Sequence, residues 1–397
     1  MLKAGQKNEK FRIEKNRKYC RKLKLKKLLY ITNAIDGSGG LERVLSVKTK
    51  VLTEDFGYEI HIITLSKSEP LEDQSLKKDS FFPFSDKIVQ HNIDVSGNPF
   101  QYISKYISGI KKVVAKVKPE IILVCDDGLK AFFLPKILGK KIPIIYERHV
   151  SKLIEISENQ AFIKGVFTKA KFSLMDVLAK DFTKFIVLTE GNKNEWKSKN
   201  VQVIPNPLPF FPSEISALQN KRIIAVGKQS YQKGFDRLLN AWALLGEEFQ
   251  DWQLHIYGKL DKSLGLEKQA QNLKIENQVF FHPPEKKIEE KYAESSIFVL
   301  SSRYEGFGMV LIEAMSFGIP CVSFDCNYGP SDIVRNNEDG FLVTNGNEKE
   351  FAEKLQLLMK NETLRLQMGE KARENVQRFS PQNVVKQWDE LFKKLSS

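Results

Sequence analysis

Two glutamates and two lysines in the second half of the chain have the types and spacing that could do chemistry. Glu305 and Glu313 stand eight residues apart in SSRYEGFGMVLIEAMSFGIP (301–320), and Lys228 and Lys233 stand five apart in GKQSYQKGFD (227–236). The apolar run Ile297–Leu300 predicts a buried strand, and Glu305, Gly306, Phe307 and Gly308 a turn. A helix follows with Val310, Leu311, Ala314 and Met315 on its inward face, and Gly318 and Pro320 end it. A strand, a glycine turn and the positive end of a helix suit a phosphate. A carboxylate at that helix mouth would repel the anion itself, so its natural partner is a neutral polyol. Phosphate, hydroxyls and carboxylates together point to a nucleotide sugar. Solvated side chains would also give either pair by itself, so the rest of the chain has to decide.

The elements that must hold these residues need more than one domain. At 397 residues and 42% apolar composition the chain can fill two cores. No apolar run reaches the roughly eighteen residues of a membrane span, and the basic start lacks the apolar core of a signal peptide. Cys20, Cys125, Cys321 and Cys326 form no CxxC pair, which predicts reduced thiols in a cytosolic protein. The net charge of +13 is concentrated: residues 1–27 hold twelve Lys/Arg and two Asp/Glu, leaving +3 for the remainder. That composition predicts a disordered or frayed tail over residues 1–24, a solvated extension in the first reading, with adhesion to anionic lipid headgroups as the functional alternative. Nucleic acid is not expected, because aromatics are not interleaved with the charges.

Strand and helix patterns alternate from Leu25 onward, which predicts an α/β fold. A first strand meets the turn Asp36–Gly40, whose glycines let the backbone approach a ligand at Gly39 and Gly40. This turn is not GxGxxG, so a dinucleotide site is poorly supported. A strand over Ile142–Tyr146 runs into Glu147, Arg148 and His149, on the sheet edge where ligands gather. A lone loop histidine is more often structural, and His149 is singled out only by this position. The helical stretch 160–180 mixes Phe162, Ile163, Phe167, Phe172, Leu174 and Met175 with lysines. Core packing is the expected reason, contact with a membrane or a lipid-linked acceptor the alternative. Prolines 205, 207, 209 and 212 mark a stiff connection, after which the alternation repeats. Ser380-Pro381 opens a last helix with Val385, Trp388, Leu391 and Phe392 on one stripe.

The Glu-x7-Glu spacing with its EGFG turn resembles the signature of retaining glycosyltransferases of family four, which have the GT-B fold. GGLERV (39–44), VIPNPL (203–208), KGFD (233–236) and GPSDIV (329–334) are similar to further segments of that family. The resemblance spans residues 25 to 397 and is strongest from 222 to 335. It implies two Rossmann-like domains facing a cleft: an acceptor-binding domain over 25–205 and a donor-binding domain over 206–379. The last helix, 380–397, would cross back onto the first domain.

The resemblance also implies roles. Glu305, with Gly306 and Phe307, would meet the donor sugar, and Glu313 the ribose hydroxyls. Lys228, Lys233, Gly39, Gly40 and the N–H groups of Gly308, Met309 and Val310 would face the diphosphate. His149 would sit over the sugar ring, and Phe281-His282-Pro283 would lie near the base, without the family's usual glycine there. Lys228 stands where arginine is more usual, which keeps the charge and loses the bidentate fork. No Asp-x-Asp and no His/Cys cluster is present, so neither a metal nor another cofactor is expected. The expected reaction moves a hexose-type unit from a nucleotide sugar, UDP-linked by expectation, to a glycan or lipid-linked oligosaccharide at a surface-polysaccharide assembly site. The expected location is the cytoplasm, peripheral to the membrane. The rivals are a nucleotide-sugar epimerase of the same fold and a basic-tailed scaffold or nucleic-acid-binding protein without activity.

Overall fold

The computed structural model describes residues 26–37, 39–66, 81–152 and 162–396. The basic tail with Cys20, and the side chains of Phe162 and Ile163, lie outside the described residues. Seven strands form a first, all-parallel sheet: β1 Lys27–Thr32, β2 Glu59–Ser66, β3 Val89–Asp94, β4 Ile121–Cys125, β5 Ile144–Glu147, β6 Lys184–Val187 and β7 Val201–Val203. Their order is β3-β2-β1-β4-β5-β6-β7. Six more form a second parallel sheet: β8 Arg222–Val226, β9 Gln253–Tyr257, β10 Val279–His282, β11 Ile297–Leu300, β12 Cys321–Asp325 and β13 Gly340–Thr344, in the order β10-β9-β8-β11-β12-β13.

The helices of the first half are α1 Gly40–Glu54, α2 Pro99–Val117, α3 Leu134–Leu138, α4 Phe162–Leu178 and α5 Glu190–Asn194. Those after β8 are α6 Phe235–Ala243, α7 Leu266–Asn272, α8 Ile288–Ala293, α9 Met309–Ser316, α10 Pro330–Ile333, α11 Glu348–Lys360, α12 Glu362–Asn375 and α13 Pro381–Ser396.

Parallel strands are covered on both faces, so they are continuous apolar runs whose alternate residues belong to different cores. Leu29, Ile31, Ile122, Val124 and Tyr146 pack with Tyr106, Phe172 and Met175 of α2 and α4 on one face of the first sheet. Leu28, Tyr30, Ile62, Leu123 and Ile145 face the other way, onto Leu45 of α1. That second core also takes Val384, Val385, Trp388, Leu391 and Phe392, so α13 does return to the first domain. Ser380 caps it: its Oγ accepts from the Asn383 N–H at 3.3 Å. The second sheet divides in the same manner, with Ile223, Val299 and Phe324 in one core and Ile224, Phe298 and Cys321 in the other.

The apolar set in 160–180 splits rather than all entering the core. Phe172 and Met175 are buried, whereas Phe167 and Leu174 are exposed along with Val177. Helix periodicity explains the split: 172 and 175, three apart, lie on the inward face, and 167, 174 and 177 lie away from it. Cys125, Cys321 and Cys326 are buried free thiols.

Candidate active site

The strands of both sheets end at one cleft of about 1560 Å³, large enough for a nucleotide and a sugar ring together. Open parallel sheets bind ligands at their carboxyl ends, and here two such edges face each other. From the first sheet come the loops after β1, β4 and β5, with Gly39, Gly40, Asp127 and His149. From the second come the loops after β8 and β11, with Lys228, Lys233, Glu305, Gly306, Phe307, Gly308, Met309, Val310 and Glu313. Every residue singled out above for the sugar, the ribose or the diphosphate therefore lines the same cleft, whereas Phe281, His282 and Pro283, expected near the base, do not.

On the second sheet's side, Lys233 Nζ donates to Glu305 Oε1 at 2.7 Å, and Ser302 Oγ donates to the same oxygen at 2.6 Å. Local backbone geometry makes this meeting possible. Gly234 has φ +61°, and a Cβ there would lie 2.3 Å from the Ser301 carbonyl oxygen, so only glycine lets the β8 loop close on the β11 loop. Arg303 locks the two loops from outside with a bidentate pair to Asp236 at 2.8 and 2.6 Å. An ammonium has three donors. Glu305 takes one from Lys233, which leaves donors for an anion at the same place. Lys228 lies exposed nearby.

Gly308, with φ +95°, is the N-cap residue of α9, and no side chain caps the helix N-terminus. Its first N–H groups are thus available to an anion. Gly306 brings the two domains into contact: a Cβ there would lie 2.9 Å from the His149 carbonyl oxygen. Glu313 is buried inside α9. Arg43 Nη1 of α1 donates to its Oε1 at 2.8 Å, and Tyr292 OH donates to its Oε2 at 3.1 Å. Burial raises the Glu313 carboxyl above the ordinary range, against the pull of Arg43 and Tyr292. Arg43 lies over the Phe82 and Phe210 rings at 5.7 and 5.2 Å, and so ties the first domain and the connecting segment to the second domain.

On the first sheet's side, His149 follows β5. Its Nε2 approaches Glu147 Oε2 at 3.4 Å, and Glu147 is bonded to the buried Lys48. Asp127 accepts from the backbone N–H of His149, and its Oδ1 lies 3.3 Å from Arg148 Nη1. Burial raises the Asp127 carboxyl, while Arg148 and His149 pull it down. Ligand atoms of Cys125, Glu147 and His149 lie within 4.8 Å of one another, a spacing that could suit a metal ion. Lys48 already occupies the carboxylate, however, and burial holds the Cys125 thiol far above its ordinary range. The set fits an ion pair beside a protonated thiol better than a metal. At the expected base position, His282 ends β10 and stacks on Tyr257 with ring centroids 4.4 Å apart, but the cleft itself is lined there by Tyr257, Pro284, Glu285 and Ile288.

The sequence reading missed Arg43, Lys48, Glu147 and Asp127 as site residues. Lys48 had a signal: it interrupts the stripe Val44, Leu45, Leu52 of α1 at a core position. Arg43 lay inside GGLERV without an assigned role.

Residues 210–375 match the family model described as "Glycosyl transferases group 1". An uncharacterized glycosyltransferase of Haemophilus influenzae is 31% identical over 372 residues, covering 92% of this chain and 99% of the relative. The amylovoran biosynthesis glycosyltransferase AmsD of Erwinia amylovora is 29% identical over 379 residues, with the same shares covered. Among solved structures, an S. aureus TarM mutant in complex with fondaparinux, alpha-GlcNAc-glycerol and UDP superposes with a TM-score of 0.73 at 17% identity, covering 93% of this chain and all of that one. The two facing parallel sheets are the GT-B fold, and the chain belongs to the group 1 glycosyltransferases.

Proposed function

We propose that this glycosyltransferase is a retaining, metal-independent hexosyltransferase of family four. Its donor is a UDP-sugar, and its acceptor a glycan or lipid-linked oligosaccharide of a surface polysaccharide. The observation that carries the reading is the Lys233–Glu305 pair at the mouth of α9, facing His149 across one cleft. AmsD supports the polysaccharide context by its name, and the UDP in the TarM complex supports the donor class.

In this reading the diphosphate lies against Lys228, Lys233 and the first N–H groups of α9, with Gly39 and Gly40 opposite. Glu305 accepts from the sugar hydroxyls and His149 covers the ring. The ribose hydroxyls reach Glu313 by sharing or displacing Arg43. The bond from the anomeric carbon to the diphosphate oxygen breaks, and the acceptor oxygen bonds to the same face of that carbon. The acceptor's proton passes to the departing diphosphate, whose charge the lysines and N–H groups stabilise. Phe167, Leu174 and Val177 on the outer side of α4, near Lys169, favour a peripheral membrane position on the cytoplasmic side. The basic tail would add electrostatic attraction there.

The test is a panel of UDP- and GDP-sugars. A true donor raises the melting midpoint and is consumed with acceptor glycan. Glu305→Gln and Lys233→Ala should each lower kcat/KM about a hundredfold. Near wild-type turnover in either variant overturns the assignment.

A further inference from the structure

Beneath His149 lies a charged pair that the transfer chemistry does not use. Lys48 of α1 and Glu147 of β5 are 1% and 3% exposed and bonded to each other. The Lys48 ammonium also lies over the rings of Trp388 at 4.3 Å and Tyr30 at 5.2 Å. Trp388 belongs to α13, the helix that returns from the second domain. A buried ion pair is a weak source of stability, since apolar side chains of similar volume often serve as well. This one ends at the cleft: Glu147 Oε2 is 3.4 Å from His149 Nε2. Both Nε2 and Glu147 Oε1 are buried and have no hydrogen-bond partner among the described residues. Sites of this kind are often loose before substrate binds and tighten with it.

The direction of that contact follows from charge. Burial pushes the Glu147 carboxyl up, but Lys48 and His149 outweigh it and hold it at about 2. An ionised carboxylate only accepts hydrogen bonds. The imidazole nitrogen facing it must then be the protonated one, which leaves the other as an acceptor.

We propose that Glu147, held by Lys48 beneath Trp388, is a positioning residue that fixes His149 in its Nε2–H tautomer and reserves Nδ1 to accept a hydrogen bond from a sugar hydroxyl. The role of Nδ1 rests on the placement of His149 over the donor sugar; the Glu147–His149 link does not. Three segments distant in the chain meet in this device: α1, β5 with the loop that follows it, and α13.

The link is tested by long-range ¹H–¹⁵N correlation on full-length protein with ¹⁵N-labelled histidine, under conditions where the ring is neutral. His149→Gln identifies the resonance among the five histidines. The expected result is an Nε2–H tautomer in the wild-type protein; an Nδ1–H tautomer overturns the proposal. Lys48→Met/Glu147→Leu removes both charges together, so neither is left buried alone. That variant should lose the single-tautomer signal. Its kcat should fall about tenfold, the low end for losing a group that orients a functional histidine, with donor KM nearly unchanged. A folded double variant with the wild-type tautomer and kcat also overturns it. If the variant does not fold, the wild-type tautomer decides alone. If the wild-type protein transfers no sugar from any donor, the functional reading fails, while the tautomer still decides the link.

Discussion

The two walls of the cleft hold equivalent lysine–glutamate pairs in opposite ways. Lys233 and Glu305 sit on neighbouring loops of one sheet, 18% and 7% exposed, with a hydroxyl from Ser302 on the same carboxylate. Lys48 and Glu147 come from elements ninety-nine residues apart and are sealed from solvent. The first pair can exchange partners when an anion arrives. The second cannot, because either member left alone would be a desolvated charge. One wall is built to bind and the other to hold still.

Breaking one member of each pair should separate the walls most sharply. Lys48→Met should cost about 3–5 kcal/mol in a urea titration, as expected when one member of a buried pair is removed. Lys233→Met should cost under about 1 kcal/mol, because its pair is reachable by water, while abolishing most turnover. Equal stability losses would end the comparison. Acid sharpens it: the Glu147 carboxyl is depressed from 4.5 to about 2, so its contribution is complete above pH 4.5 and lost as pH falls toward 2.

The contact between the walls predicts the next effect. Gly306→Ala places a methyl 2.9 Å from the His149 carbonyl oxygen. The domains must separate slightly, at about 1–3 kcal/mol. Turnover should fall further than UDP affinity does, and an unchanged kcat in the folded variant would show that the approach is slack. In the second domain, burial, Arg222 and His282 together depress His255 from 6.5 to about 4. A depressed histidine stabilises above its unfolded value, so stability should decline from pH 6.5 toward pH 4. The expected loss is on the order of 1–2 kcal/mol after allowance for partial exposure. His255→Gln should flatten that part of the profile. The smallest effect belongs to α4: Phe167→Ser should change stability by less than about 0.5 kcal/mol, while weakening sedimentation with anionic vesicles. A larger stability loss would place Phe167 in a packed contact.

The same contrast explains what could be foreseen. Glu305, Gly308 and Glu313 lie within nine residues, and Lys233 and Gly234 adjoin, so spacing alone brings them to one strand end and one helix mouth. Both α/β halves followed from alternating apolar runs, and α13 from its Ser-Pro start and apolar stripe. The first domain's wall is assembled by tertiary folding. No spacing relates Lys48 to Glu147, or Arg43 to Glu313, because sheet order and the return of α13 set those distances. The periodicity of 160–180 was similarly ambiguous: apolar residues on two faces of α4 look alike in sequence, and only the packing of Phe172 and Met175 tells them apart.

The return of α13 has a consequence for synthesis on the ribosome. The core holding Leu28, Tyr30, Leu45 and Ile62 needs Trp388 and Phe392 to be complete. At about 5–20 residues per second, close to two hundred residues must still emerge after β7, a delay of roughly ten to forty seconds. During that interval the nascent first domain bares the apolar surface that α13 will cover, with the Lys48 side chain beside it. The second domain has no such wait, since its strands and α6 through α12 are contiguous. A stalled chain lacking residues 381–397 should therefore carry a folded C-terminal domain and a chaperone-binding N-terminal one.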